Sequence, residues 1–331
     1  MKSILARSLR FAFPAVILVW LIFDIHGRNA ETLAELRNSP KDYWQLTLAA
    51  CLCLIGFCLS FVRWYLLVVA LRLPFQLRDA FRLGFLGQML GFVSLGSVGG
   101  DLFKALFIAR AQQTRRAEAV ASVFVDRAVG LYGMLILVCI SLFGITVGHL
   151  PPAIIAVVKT SEIGFLVGTF GLATLLLGWI ELRWFDGWLR RYPWAFAIMQ
   201  RIQDGLDHYR DKPVYLGAAV GLAVASHVLI ATSLFFAANG LTEGAPSWLE
   251  HCVIWPLGGA ASALPLAPAG LGTFELALSY LYGHFSTSKS SSAIGLVVAL
   301  GFRCVTIAAA LVGFMIYWKD RQVIRKISES A

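Results

Sequence analysis

SLGSVGGDLFKAL (residues 94–106) and LPLAPAGLGTFELAL (residues 264–278) are apolar stretches broken by Gly or Pro, and each carries one carboxylate, Asp101 or Glu275. Broken helix and ionised side chains are costly in lipid unless they line a protected cavity. The two stretches therefore predict a pair of helical hairpins that dip into a bilayer from opposite sides and handle something polar between them.

The composition agrees with a membrane setting. Of 331 residues, 58% are hydrophobic and 14% charged, and the mean hydropathy is +0.74, which excludes a soluble globule. The longest polar stretch, from Glu181 to Lys212, is too short for an independent catalytic domain. A net charge of +9 fits basic cytoplasmic loops against anionic lipid and calls for no nucleic-acid partner. All six cysteines (Cys51, Cys53, Cys58, Cys139, Cys252, Cys304) fall in apolar segments, where thiols act as small hydrophobes. Cys51 and Cys53 stand two apart, so on a helix they face different ways and make a poor metal pair. The start, MKSILARSLRFAFPAVILVWLIF, has the basic and apolar regions of a signal peptide but no small-x-small cleavage site before Asp24 and Ile25. It reads as an uncleaved first span. No Walker A or other nucleotide motif occurs, and no cofactor or metal is expected.

Apolar runs of about 20 residues predict six full spans, near 5–24, 43–71, 118–148, 162–181, 213–240 and 290–318. Two stretches remain, 80–110 with its turn at Ser94–Gly100 and 250–285 with its turn at Leu264–Gly272. Each has arms shorter than a span and reads as a re-entrant hairpin. The expected fold class is an all-α polytopic membrane protein, with residues 1–331 forming one integral membrane domain.

Basic residues orient the spans. Lys2, Arg7 and Arg10 place the N-terminus inside. Arg72, Arg78 and Arg82 follow span two, and Arg110, Arg115 and Arg116 stay on the same side only if residues 80–110 re-enter from the cytoplasm. Arg183, Arg190, Arg191, Arg201, Arg210 and Lys212 follow span four. Glu243 and Glu250 mark the outer side, so the second hairpin enters from outside and span six ends at Lys319, Arg321, Arg325 and Lys326 inside. Both termini are expected to be cytoplasmic, in the cell membrane. The order span, span, hairpin, span then recurs upside down, which predicts an inverted repeat with halves near 1–150 and 160–320. Charged positions echo it: Asp101 precedes Arg127 by 26 residues, and Glu275 precedes Arg303 by 28.

The strings GGDLFKAL, VFVDRAVGLYG and PAGLGTFELAL, in this order among hydrophobic spans, resemble the transmembrane flippase-like region of the lysylphosphatidylglycerol synthase family. In two-domain members that region is followed by a soluble aminoacyl-transferase domain that makes the lipid, and the membrane region is associated with moving it between leaflets. This chain ends after its sixth expected span, so the resemblance is to the flippase part without the transferase domain. It implies Asp101, Arg127 and Glu275 as first choices for functional residues.

The residues carry their own readings. Asp101 follows Gly99 and Gly100, so it is either an N-cap or a cavity carboxylate that coordinates a cationic headgroup or exchanges a proton. Glu275 stabilises the first turn of its arm or serves the same cavity. Arg303 lies too deep in its span to snorkel and is expected to pair with Glu275 or a lipid phosphate. Arg127 and its neighbour Asp126 form either an ion pair or part of the site. Arg63, about 12 Å of helix from the inner end of its span, reads as snorkelling in preference to binding. Lys104, three residues after Asp101, is its salt-bridge partner or a second phosphate contact. His227 reads as a satisfied histidine.

The expected function is alternating-access transport of a phospho- or aminoacyl-headed lipid through a laterally open charged cavity, downhill or coupled to a proton or ion. Two rivals stand: a transporter of a soluble anionic or amphipathic solute, and an intramembrane lipid-modifying enzyme or protease. The latter is disfavoured because Val98-Gly99-Gly100-Asp101 misses the G-x-G-D pattern and no G-x-S-x-G occurs. No residue pattern assigns an oligomeric state.

Overall fold

The computed structural model describes residues 40–93, 96–112, 114–146, 148, 150–177, 191, 203–264, 270–285 and 291–329. The expected first span and most of the polar stretch before Pro213 lie outside these residues. The described part is built from α-helices: α1 (Tyr43–Ala70), α2 (Leu77–Val93), α3 (Gly96–Ala111), α4 (Arg116–Ser141), α5 (Pro152–Leu176), α6 (Pro213–Leu241), α7 (Trp248–Ala263), α8 (Thr273–Phe285) and α9 (Ser291–Glu329). A 3₁₀ turn, Leu142–Gly144, extends α4.

Five stretches are long and apolar enough to cross a membrane: Tyr43–Ala70, Arg116–Gly144, Pro152–Leu176, Pro213–Leu241 and Ser292–Met315. They coincide with expected spans two to six. The fourth begins well before residue 162, because Pro152 opens α5 where its missing N–H leaves no bond unmade, and Lys159 and Glu162 stand on the exposed surface. The chain is a multi-pass helical membrane protein.

The remaining helices α2, α3, α7 and α8 have 17, 16, 16 and 13 residues. At 1.5 Å per residue these reach roughly 20–25 Å, short of a hydrocarbon core of about 30 Å. They pack in pairs, α2 on α3 and α7 on α8. Ser247 and Glu250 cap the start of α7 reciprocally, so its first N–H groups are satisfied at its own end. α3 already begins at Gly96, earlier than expected, and Asp101 therefore sits in its second turn and is not an N-cap. Gly100 serves helix contact instead of turning the chain. A Cβ on Gly100 would lie 2.4 Å from the carbonyl oxygen of Gly87, so only glycine lets α2 and α3 approach this closely.

Helices α1 and α6 run antiparallel at the centre. The Asp42 N–H donates to the Gly240 carbonyl and Ser233 Oγ to that of Ala49, while at the far end the hydroxyl of Tyr209, just before α6, donates to the Leu67 carbonyl. Around this axis lie two apolar cores. One joins the first half of α1 to the end of α6, α7, α8 and the start of α9, through residues such as Ala49, Leu234, Ile254, Leu278 and Val298. The other joins the end of α1 to α2, α3 and the starts of α4 and α6, through Trp64, Leu67, Leu83, Ile108 and Ala219. The contacts come in matched sets: α3 packs on α4 as α8 packs on α9, and α4 touches α6 and α7 as α9 touches α1 and α2.

Gly100→Ala is expected to lower stability by about 1–3 kcal/mol, the usual cost of overpacking, because neither backbone at this contact can yield. Thermal unfolding of the purified protein in detergent, compared with an Ala change at open Gly217, checks it.

Candidate functional site

Between the two cores lies a cavity of about 470 Å³ whose walls come from α1, α2, α3, α4, α6, α7, α8 and α9. Six of the seven residues singled out in the sequence line it: Arg63, Asp101, Lys104, Asp126, Arg127 and Arg303. Glu275 stands directly behind Arg303. Aromatic rings complete the wall, Phe57 and Phe61 on one side and Trp255, Phe274 and Phe302 on the other. Polar groups from Ser60, Gln88, Ser226, Ser262 and Thr306 are interspersed.

Asp101 and Arg127 meet across the α3–α4 seam through an ion pair. Lys104, one turn further along α3, brings its Nζ to 3.7 Å from the other Asp101 oxygen. The same ammonium lies over the rings of Trp64 and Phe61, 5.5 and 6.0 Å from their centroids. Arg127 lies eleven residues into α4, roughly 16 Å along the helix axis and so near mid-depth.

Asp126 and Arg127 do not pair with each other. Neighbours on a helix point about 100° apart, and Asp126 is turned to α1, where Arg63 Nε donates to its Oδ1 at 2.7 Å. Arg63 consequently does not snorkel: its side chain is only 8% exposed and packs against Gly130. The buried acid was the missing half of that reading, since a carboxylate facing the inner side of the next helix removes any need to reach the interface. At the end of the bundle beyond this pair, burial, and secondarily the Asp126 carboxylate, push the Tyr209 phenol above its ordinary range.

Glu275 has no exposed surface, and both its oxygens are committed. Oε2 accepts the Gly272 N–H at 2.7 Å, capping α8, while Oε1 accepts from Arg303 Nε at 3.0 Å and Nη2 at 2.8 Å. Helix capping and ion pairing thus hold together in one residue. Gly270 and Gly272 make this possible by taking φ of +64° and +82°, a region that favours glycine. Arg303 Nη2 also donates to the Gly270 carbonyl at 3.3 Å, and its guanidinium lies over the Phe274 ring.

His227 is satisfied on both sides, as its sequence reading had it. Its Nε2 faces the Gly130 carbonyl at 3.0 Å and its Nδ1 accepts from Trp255 Nε1 at 3.3 Å, an arrangement that suits the neutral ring. Sequence reasoning passed over Trp255, which joins α7 to this histidine, and the wholly buried His251. His251 Nδ1 donates to the Ser247 carbonyl, so its Nε2 accepts from the Tyr282 hydroxyl at 2.6 Å, locking α7 to α8. A histidine beside Glu250 in an otherwise apolar arm was the available signal. Cys51 is exposed and Cys53 buried, consistent with side chains that diverge.

Compared with known families, the lysylphosphatidylglycerol synthase TM region matches residues 5–313. No curated protein and no solved structure gives a significant match.

Glu275→Gln is expected to cost about 3 kcal/mol, in the range for breaking a buried ion pair, because Arg303 then keeps its charge without a counter-charge. The equivalent change at partly exposed Glu118, which pairs with Arg115 at the start of α4, should cost below about 1 kcal/mol. Melting temperatures of the two variants in the same detergent give the comparison.

Proposed function

Because the chain belongs to the family of the lysylphosphatidylglycerol synthase TM region, we propose that it moves a polar-headed lipid between the two leaflets of its membrane. The observation that carries this reading is the cavity itself. At mid-depth in a bundle of apolar helices it gathers Arg63, Asp101, Lys104, Asp126, Arg127 and Arg303. A lipid changing leaflet must take its head through hydrocarbon, where an uncompensated charge costs at least several kcal/mol, while its tails can stay in lipid. Preformed charges and polar groups replace the water the head gives up.

The arrangement of the halves supports alternating access. Short helices α2 and α3 enter from the end of the bundle that carries Arg72, Arg78, Arg110, Arg115 and Arg116, and α7 and α8 from the end that carries Asp42, Glu243 and Glu250. We read these as two re-entrant hairpins of an inverted repeat, with the basic end cytoplasmic. The matched helix contacts favour that reading, and the carboxylate of each second arm meets an arginine of the following span in both halves. In this mechanism the halves rock about the antiparallel α1–α6 pair and expose the cavity to each leaflet in turn. Movement is downhill or driven by a proton or ion, with Asp101 as the accessible carboxylate. Asp101 and Asp126 each have their own cation, which favours transport over an acid pair sharing a proton, as an aspartyl protease would need.

Dithionite quenching of a fluorescent phospholipid in proteoliposomes tests the proposal. The intact protein should speed leaflet exchange well above protein-free vesicles, and Arg127→Ala should reduce it about tenfold or more, the effect of losing one charge-assisted contact. Exchange no faster than in empty vesicles would remove the lipid-transfer reading. Uptake of a soluble anion instead would favour a solute transporter.

A further inference from the structure

The two ion pairs that occupy matching places in the halves differ in one respect: access. The Arg127 and Asp101 side chains are 47% and 25% exposed, whereas those of Arg303 and Glu275 are 13% and 0% exposed. Glu275 is also bound to the α8 backbone through Gly272, and Arg303 to the carbonyl of Gly270 and the face of Phe274. Separating the second pair would uncap a helix and strip a buried guanidinium. Separating the first would uncover side chains that already reach the surface.

The surroundings of Arg127 are those of a lipid contact. On α4 the same face presents Phe124, Ala128 and Leu131, all exposed, and across the seam α3 presents exposed Leu102 and Leu106. An arginine therefore stands in an apolar strip at mid-span. Behind it Lys104 offers a second cation, backed by Trp64 and Phe61. The charges of the site, Arg63, Lys104, Arg127 and Arg303 against Asp101, Asp126 and Glu275, leave one positive charge in excess.

Resting on the lipid-transfer reading of the same cavity, we propose that Asp101–Arg127 is an exchangeable pair: the phosphate of an anionic lipid displaces Asp101 from Arg127 and draws on Lys104, while its acyl chains lie along Leu102, Leu106, Phe124 and Leu131. Glu275–Arg303 stays closed throughout as the fixed latch of the other half. In this scheme Asp101 is an intramolecular stand-in for the phosphate, holding Arg127 in the mouth of the cavity when no lipid is bound. Displaced Asp101 remains beside Lys104, so its charge is not stranded. The guanidinium fork suits a phosphate as well as it suits a carboxylate.

The test is a binding titration of the purified full chain in neutral detergent with three probes: dioctanoyl phosphatidylglycerol, dioctanoyl phosphatidylcholine and inorganic phosphate. Phosphatidylglycerol should bind about tenfold or more tighter than either of the others. Arg127→Gln should lose about tenfold of that affinity and Arg127→Lys an intermediate amount, whereas Asp101→Asn, which removes the competing carboxylate, should tighten binding. Leu102→Glu should weaken phosphatidylglycerol selectively. Glu118→Gln, at an ion pair that does not line the cavity, should keep the preference of phosphatidylglycerol over phosphatidylcholine. Equal affinity of wild type and Arg127→Gln, or weaker binding by Asp101→Asn, would overturn the exchange. Inorganic phosphate that competes as well as the lipid would make this a free-anion site and overturn the lipid assignment. Arg127-dependent binding without leaflet exchange in vesicles would sink the transport reading alone, and exchange without Arg127-dependent binding would sink this proposal alone.

Discussion

Helices that end inside a bundle must find partners for their exposed backbone groups, and a buried charge must find a counter-charge. The rest of this structure follows from how those two demands are met together. At the start of α8 one residue meets both: Glu275 accepts the Gly272 N–H with one oxygen and Arg303 with the other. The arginine in turn satisfies the Gly270 carbonyl in the same connection. A broken helix and a buried arginine, each costly alone, become a single closed unit that ties α8 to α9.

The first pair of short helices answers the same demands differently. Its tight approach comes from Gly87 and Gly100, and its carboxylate lies a turn and more inside α3, where no free N–H groups need it. Asp101 is thereby left to the ion pair with Arg127 and to Lys104. Arg63 and Asp126 add a third pair that links α1 to α4 in the cavity wall. Three carboxylates and four cations end up around one polar space because α1, α3, α4, α8 and α9 converge on it, with an apolar core on either side. The apolar cores hold the bundle, and the space between them is where a polar group can be accommodated at modest cost.

Much of this was readable along the chain. Hydropathy located every long span that the structure describes, and Gly and Pro in the stretch around residues 264–272 located the break between α7 and α8, whereas the turn expected over 94–100 falls largely inside α3. The depth of Arg303 anticipates its pair with Glu275, which does form, whereas the Asp101–Arg127 pair was legible only as a matching spacing. The failures are equally particular. Arg63 read as snorkelling, and Asp126 and Arg127 read as either an ion pair or part of the site, because adjacency along the chain is visible while the direction of a side chain around its helix is not. Asp101 read as a possible cap because the glycines before it looked like a turn, when they lie within α3 and Gly100 packs against Gly87.

Class, spans, breaks and the stock of mid-membrane charges are properties of residue type and period, so the chain alone settled them: a run of apolar residues is long enough to cross or it is not, and an arginine deep within one must be paired. Which acid meets which arginine, and which pair stays open to the surface, depended on the rotation and packing of helices far apart in the chain. Exposure is a property of what the neighbours cover. The two pairs look alike in sequence, and only the folded arrangement makes one a sealed cap beneath Phe274 and the other an accessible contact in an apolar seam.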